Sequence, residues 1–171
     1  LTRAELDFKR RFERECAICA ALKNENIVQV SDYGITDEGY PFYVMEYLEG
    51  LTLQQVLKQE TKLSVERAIG IMIQICTGLR SVHEGITLKT SDMGPNPRIK
   101  VIHRDLKPAN IFLVPTALGE RVKIIDFGVA KIQSSHLENA NFSQSLLGTY
   151  HYAAPEQFND RENIDERADI Y

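Results

Sequence analysis

His103, Arg104, Asp105, Leu106, Lys107, Pro108, Ala109 and Asn110 follow one another, and Asp126-Phe127-Gly128 begins sixteen residues after Asn110. The string sets a carboxylate, an ammonium group and a carboxamide inside one tight loop. A second carboxylate arrives on the next hairpin. Hard oxygens such as those of Asn110 and Asp126 suit Mg2+, which completes its shell with water and phosphate. Together these groups are the inventory for holding a magnesium–nucleotide and turning a hydroxyl toward its terminal phosphate. Alone, each residue would read as a solvated turn residue. The ordered Asp-x-x-x-x-Asn with a later Asp-Phe-Gly carries the signal.

The elements around this loop must position it. Thr2 to about Leu22 reads as a helix: Thr2 can cap it, Glu5 sits three residues on, and Leu6, Phe12, Cys16 and Cys19 keep a helical period. Ile27–Val30 reads as a strand, Thr36–Gly39 as a turn and Tyr40–Tyr47 as the returning strand. Leu53–Lys58 is a short helix. Ser64 caps the strongest helix, which ends near Gly85 and whose stripe Ala68, Ile69, Met72, Ile73, Cys76, Leu79 and Val82 is expected to face the core. Thr90–Arg98, with Gly94, Pro95 and Pro97, reads as an exposed loop. Ile111–Val114 and Val122–Ile125 flank a turn at Ala117–Glu120, a second hairpin. Lys131–Ser145 is polar and lacks periodicity.

Length and composition bound the class. The 171 residues are enough for one domain, and 43% hydrophobic with 26% charged residues is a globular balance. A formal charge of −4 argues against a protein built to neutralise nucleic-acid phosphates. No apolar run approaches a membrane span, no signal-peptide pattern is present, and three cysteines make no secreted disulfide framework, so a cytoplasmic setting is expected. Cys16 and Cys19 form Cys-x-x-Cys, but with no second pair they read as small residues packing on one helix face. Cys76 reads as core.

His103 to Asn110 with Asp126-Phe127-Gly128 resembles the catalytic loop and magnesium-binding motif of eukaryotic-type protein kinases. The resemblance implies an α+β, protein-kinase-like fold and the cofactors ATP and Mg2+. It makes Asp105 the group that orients the substrate hydroxyl, Lys107 the cation beside the migrating phosphoryl group, and Asn110 and Asp126 the metal ligands. Lysine at 107 resembles serine/threonine kinases, since tyrosine kinases usually carry Ala or Arg there. Glu15 matches the helix-C glutamate, with Glu13 as its nearest competitor. Cys19, Val30, His103 and Phe127 fall where the family stacks its regulatory spine. Met45-Glu46-Tyr47-Leu48-Glu49-Gly50 looks like gatekeeper and hinge: Met45 walls the adenine pocket, backbone groups of Glu46 and Leu48 bond the base, and Phe112 lies beneath it. Gly148-Thr149 and Ala154-Pro155-Glu156 resemble the end of an activation segment, where Thr149 bridges Asp105 and Lys107. Arg104 marks kinases switched by activation-segment phosphorylation, and Ser143 or Ser145 is the expected site, ahead of Ser134 and Ser135. Asp169 resembles the helix-F aspartate that anchors the loop backbone.

The resemblance covers the family's middle. No Gly-x-Gly-x-x-Gly loop and no Val-Ala-x-Lys strand precedes Glu15. Lys9 cannot replace that lysine, because six residues at about 100° each turn it to another side of the same helix. Residues 1–45 are expected to be the remainder of the small lobe, 46–50 the hinge and 51–171 the first part of the mainly helical large lobe. The 171-residue piece alone is expected to be inactive. A parent chain carrying the missing parts is expected to be a serine/threonine protein kinase acting on proteins, of bacterial style. The alternatives are a pseudokinase scaffold and a small-molecule phosphotransferase of related fold.

Overall fold

The computed structural model describes residues 3–87, 98–127, 151–159 and 164–171. Helix α1 (Arg3–Ala21) leads into a hairpin of β1 (Val30–Ile35) and β2 (Pro41–Met45). Strand β3 (Leu51–Thr52) and helix α2 (Leu53–Glu60) follow, then the long helix α3 (Val65–His83). The short pair β4 (Ile86–Thr87) and β5 (Arg98–Ile99) comes next, and sequence periodicity did not signal it. A 3-10 turn at Pro108–Asn110 opens onto β6 (Ile111–Thr116) and β7 (Gly119–Ile124), which form a three-stranded antiparallel sheet in the order β3-β6-β7. Helix α4 (Glu156–Asn159) and a 3-10 turn at Glu166–Asp169 complete the described chain. The mixed helix and sheet content agrees with the α+β reading. No helix among the described residues is long and apolar enough to cross a membrane.

Local chemistry starts and stops these elements. The Ser64 hydroxyl accepts from the Arg67 amide, Glu66 lies in the first turn of α3, and Arg80 and His83 lie in the last, each complementing the helix dipole. Helix α2 has a full capping box: the Thr52 hydroxyl accepts from the Gln55 amide while the Gln55 side chain accepts from the Thr52 amide. Gly50 joins the residues after β2 to β3 at φ +153°, where a Cβ would run into the Leu113 carbonyl of β6.

One apolar cluster links the layers. Phe12, Cys16, Cys19 and Leu22 of the α1 region pack with Ile71, Ile75, Leu79 and Val82 of α3 and with Ile111, Leu113, Val122 and Ile124 of the β6–β7 hairpin. Helix α3 turns a different face inward than its expected stripe. Leu79 and Val82 are buried, but Ile69 and Met72 are each 54% exposed, Ile73 is 62% exposed, and Cys76 is also exposed. The helix is apolar on most of its circumference, so periodicity alone does not select the face. Docking against β7 selects Ile71, Ile75 and Gly78, where a Cβ on Gly78 would sit only 3.0 Å from the Ile124 side chain.

The first hairpin is also shifted. Ile27 makes one parallel bridge to Ile124, with Val28 N–H donating to the Ile124 carbonyl at 2.9 Å and Ile124 N–H to the Asn26 carbonyl at 2.7 Å. Residues 26–28 thus align with β7, the Gln29 carbonyl accepts from the Glu46 amide at 3.0 Å, and β1 begins only at Val30. The Thr2 cap and the segment Lys131–Ser145 lie outside the described residues, as does the Thr90–Arg98 loop apart from Arg98 in β5.

Cys16 and Cys19 are 1% and 5% exposed, in agreement with the packing role. Burial, with the nearby carboxylate of Glu15, pushes the Cys16 thiol up to about 11, and burial with Cys16, Glu15 and Asp126 pushes Cys19 up to about 12, from an ordinary 9.0. A raised thiol pKa favours the protonated folded state below pH 9 and loses that contribution as pH rises through the folded values. Iodoacetamide at pH 8, followed by mass spectrometry, is expected to label Cys76 in the native protein and to spare Cys16 and Cys19 until the chain unfolds.

Candidate active site

The backbone of the loop at His103–Asp105 hangs from one buried carboxylate. Asp169, 5% exposed, accepts the His103 amide on Oδ2 and the Arg104 amide on Oδ1, each at 2.8 Å. The His83 Nε2 of α3 lies 2.8 Å from the same Oδ2. Arg104 is held at φ +62°, a left-handed conformation that costs a non-glycine residue on the order of 1–3 kcal/mol and persists only when its surroundings over-determine it. Those surroundings include Gln157, whose Nε2 donates to the Arg104 carbonyl at 2.8 Å and whose Oε1 accepts from the Ala154 amide at 3.0 Å. His103 is fully buried. Its Nδ1 accepts from the Asp105 amide at 3.2 Å, so the proton sits on Nε2, which donates to the Ile125 carbonyl at 3.0 Å.

Asp105 projects from this anchored backbone. Its Oδ2 accepts from Lys107 Nζ at 2.9 Å and from Asn110 Nδ2 at 3.2 Å. Asn110 Nδ2 also donates to the Asp105 carbonyl at 2.9 Å, which commits the amide nitrogen and leaves the amide oxygen of Asn110 turned away from Asp105. Asp105 Oδ1 is buried and has no hydrogen-bond partner among the described residues. A buried carboxylate oxygen without a partner is costly, and such an atom in a folded protein calls for an explanation.

Asp126 enters beside Asn110 because the Ile125 amide donates to the Asn110 backbone carbonyl at 3.0 Å. Asp126 lies at φ +61° and its Oδ1 accepts from the Tyr43 hydroxyl of β2 at 3.0 Å. Burial, then the charge and hydrogen bond of Asp126, push the Tyr43 phenol up to about 12, so it remains a donor near neutrality. Behind Asp126, the Phe127 ring meets His103 edge-on at 4.6 Å, and the Phe127 carbonyl accepts from Cys19 Sγ at 3.6 Å. Cys19, Phe127 and His103 therefore touch in series, and Val30 is buried in the same core.

The other sequence-predicted residues divide by position. Glu15, half-buried one turn before Cys19, has its carboxyl raised by burial against the lowering pull of Arg14 and Arg104. Glu13 is exposed and lies 3.9 Å from Lys9, so Glu15 is the inward carboxylate of the two. Met45 ends β2 and is 43% exposed. The Glu46 carboxylate turns to Lys123 Nζ at 2.6 Å and to the Gln29 amide at 2.8 Å. Burial acts to raise Glu46, but the hydrogen bonds and charge of Lys123, with the Gln29 amide, hold it below the usual carboxylate range. The carbonyls of Glu46 and Leu48 and the Leu48 amide bond no described residue. Phe112, on β6, is half-buried near Gly50. Gly128, Ser143, Ser145 and Thr149 lie outside the described residues. Tyr43, Lys123, Gln157 and His83 were not anticipated. Only Tyr43 carried a signal, two residues before Met45 on the same face of β2.

Two oxygen donors, the free amide oxygen of Asn110 and the Asp126 carboxylate, could hold a divalent cation. Among the described residues no group of three His, Cys, Asp or Glu side chains could do so unaided. The pair fits a hard cation such as Mg2+, which takes one or two protein oxygens with phosphate and water.

The protein kinase domain family model matches residues 2–171. Serine/threonine-protein kinase A of Synechocystis is 45% identical over 166 residues, which cover 95% of this chain and 30% of that protein. PknB of Mycobacterium tuberculosis is 32% identical over 167 residues, covering 96% and 24%. A crystal structure of the Mycobacterium tuberculosis PknI kinase domain, a C20A mutant, matches with a TM-score of 0.64 and 26% identity over 99% of this chain and 56% of that one. The chain thus spans 30% or less of the length of these two curated relatives.

Proposed function

This chain belongs to the protein kinase family, and from that premise we propose that the protein containing it transfers the γ-phosphoryl group of Mg·ATP to serine or threonine hydroxyls of proteins. The observation that carries the reading is the buried Oδ1 of Asp105, unpartnered among the described residues and flanked by an ammonium group and a metal-competent oxygen pair. In this reading Asp105 Oδ1 accepts the hydrogen bond of the incoming hydroxyl and orients its lone pair toward the phosphorus. Lys107, 2.9 Å from Asp105, places positive charge beside the transferring group, where negative charge must be stabilised. Asn110 and Asp126 hold the cation. Bound Mg·ATP supplies the phosphoryl group and part of the charge neutralisation.

The remaining assignments follow the family order. Residues 1–45 belong to the small lobe, 46–50 form the hinge and 51–171 begin the large lobe. Backbone groups of Glu46 and Leu48 bond the adenine edge, Met45 closes the back of the pocket and Phe112 lies below the base. Glu15 serves the nucleotide through helix α1. Phe127 and Gly128 shape the metal loop, and Thr149 bridges Asp105 and Lys107. Arg104 pairs with a phosphate carried on Ser143 or Ser145, a contact that would order the activation segment. The need for ATP puts the reaction in the cytoplasm.

The test is a radiolabel assay on the full-length protein with Mg·ATP and basic protein acceptors, followed by phosphoamino-acid analysis. Phosphoserine or phosphothreonine that disappears with EDTA is the expected product. Nucleotide binding without transfer to any protein, itself included, would overturn the reading in favour of a scaffold. Label found only on small-molecule acceptors would overturn it in favour of the related phosphotransferases. Phosphosite mapping that leaves residues 128–150 unmodified in the active protein would remove the role given to Ser143 and Ser145.

A further inference from the structure

The geometry points to Tyr43 as a positioning residue for the metal-binding carboxylate: its hydroxyl fixes the rotation of Asp126 so that one oxygen is left for the cation. The inference rests on Asp126 being a metal ligand, as proposed above. The backbone around Asp126 is tied on both sides. Ile125 donates its amide to Asn110 and accepts from the buried His103, while Phe127 is held by the His103 ring and by Cys19. None of those contacts restrains the Asp126 side chain. The one hydrogen bond that the described residues give this carboxylate is from the Tyr43 hydroxyl to Oδ1, at 3.0 Å.

Tyr43 is well placed to act as a fixed post. It lies mid-strand on β2, paired in register with Tyr33 of β1, and its half-buried side chain packs against the apolar cluster that includes Cys19 and Phe127. A rigid ring, held in a core and carrying a single donor at its tip, can occupy one carboxylate oxygen without competing for the other. Outer partners that orient a ligand in this way typically set metal affinity by about 10–100-fold. The chemistry needs a neutral phenol donor on a ring too stiff to follow the carboxylate, and phenylalanine keeps everything except the donor.

The experiment is a Mn2+ titration of the full-length protein with a non-hydrolysable ATP analogue, reading free Mn2+ by electron paramagnetic resonance. Wild type, Tyr43→Phe and Asp126→Asn are compared, and analogue binding in EDTA is measured alongside. The expected result is Mn2+ affinity lower by about 10-fold in Tyr43→Phe, with a larger loss in Asp126→Asn and metal-free analogue binding unchanged in Tyr43→Phe. Unchanged Mn2+ affinity in Asp126→Asn would show that the ligand assignment itself is wrong. A loss in Asp126→Asn with equal affinity in Tyr43→Phe would overturn the positioning role alone. So would tighter binding in Tyr43→Phe, which would make the hydroxyl a competitor of the metal. A parallel loss of metal-free analogue binding in Tyr43→Phe would overturn it as well, since a deformed pocket weakens both.

Discussion

Asp105→Asn in the full-length protein is expected to lower kcat by about 10²–10⁴-fold, the range supplied by a positioned acid–base group, with KM for ATP changed little. The reason lies in which atoms the substitution replaces. Two donors, Lys107 Nζ at 2.9 Å and Asn110 Nδ2 at 3.2 Å, converge on Oδ2. In the variant the amide oxygen must take that place, because an NH2 group there would face both donors. The NH2 group is then forced into the position of Oδ1, the buried oxygen without a partner among the described residues. An acceptor for the proton of the incoming hydroxyl becomes a donor that cannot take it and that would engage the lone pair needed for attack. The local hydrogen bonds survive, so the unfolding midpoint should be close to wild type while turnover collapses. Steady-state kinetics with a circular-dichroism melt checks both halves, and a variant keeping more than a tenth of wild-type kcat would remove Asp105 from the chemistry.

Asp169→Ala carries the largest expected effect on stability. It strips the acceptor from the amides of His103 and Arg104, and at about 1–3 kcal/mol for each donor left unsatisfied the loss is about 2–6 kcal/mol. Domains of this size have only about 5–15 kcal/mol in total. His83 loses its partner at the same site. Asp169→Asn retains one acceptor oxygen and is expected to fall between wild type and Ala in urea denaturation. Activity should fall further than stability in both, because Arg104 at φ +62° has only its neighbours to keep it there. An Ala variant within 0.5 kcal/mol of wild type, well inside the range of ordinary surface changes, would mean that the loop does not depend on this anchor.

Much of the site was legible in the chain because it is local. Asp105, Lys107 and Asn110 occupy one loop, and the hydrogen bonds among them span five residues or fewer. Ser64 announced the start of α3 through a cap bond three residues long, and the β6–β7 hairpin followed from two apolar runs about a polar turn. The identity of Asp169 as the anchor came from a family resemblance, since nothing local links it to His103 across 66 residues.

Contacts between distant residues decided the rest. The buried face of α3 differs from the stripe its sequence suggests because the helix is apolar nearly all round, and only its docking against β7 distinguishes Ile71 and Ile75 from Ile69 and Met72. Residues 26–28 pair with Ile124 of β7 while Gln29 already bonds Glu46, a choice between two available partners that strand propensity does not make. Tyr43 reaches Asp126 across 83 residues and Lys123 reaches Glu46 across 77. The chemical groups and the caps that start each element follow from covalent spacing. The buried face of each helix, the partner each strand takes and the hydroxyl that steadies a carboxylate follow from packing between segments far apart in the chain.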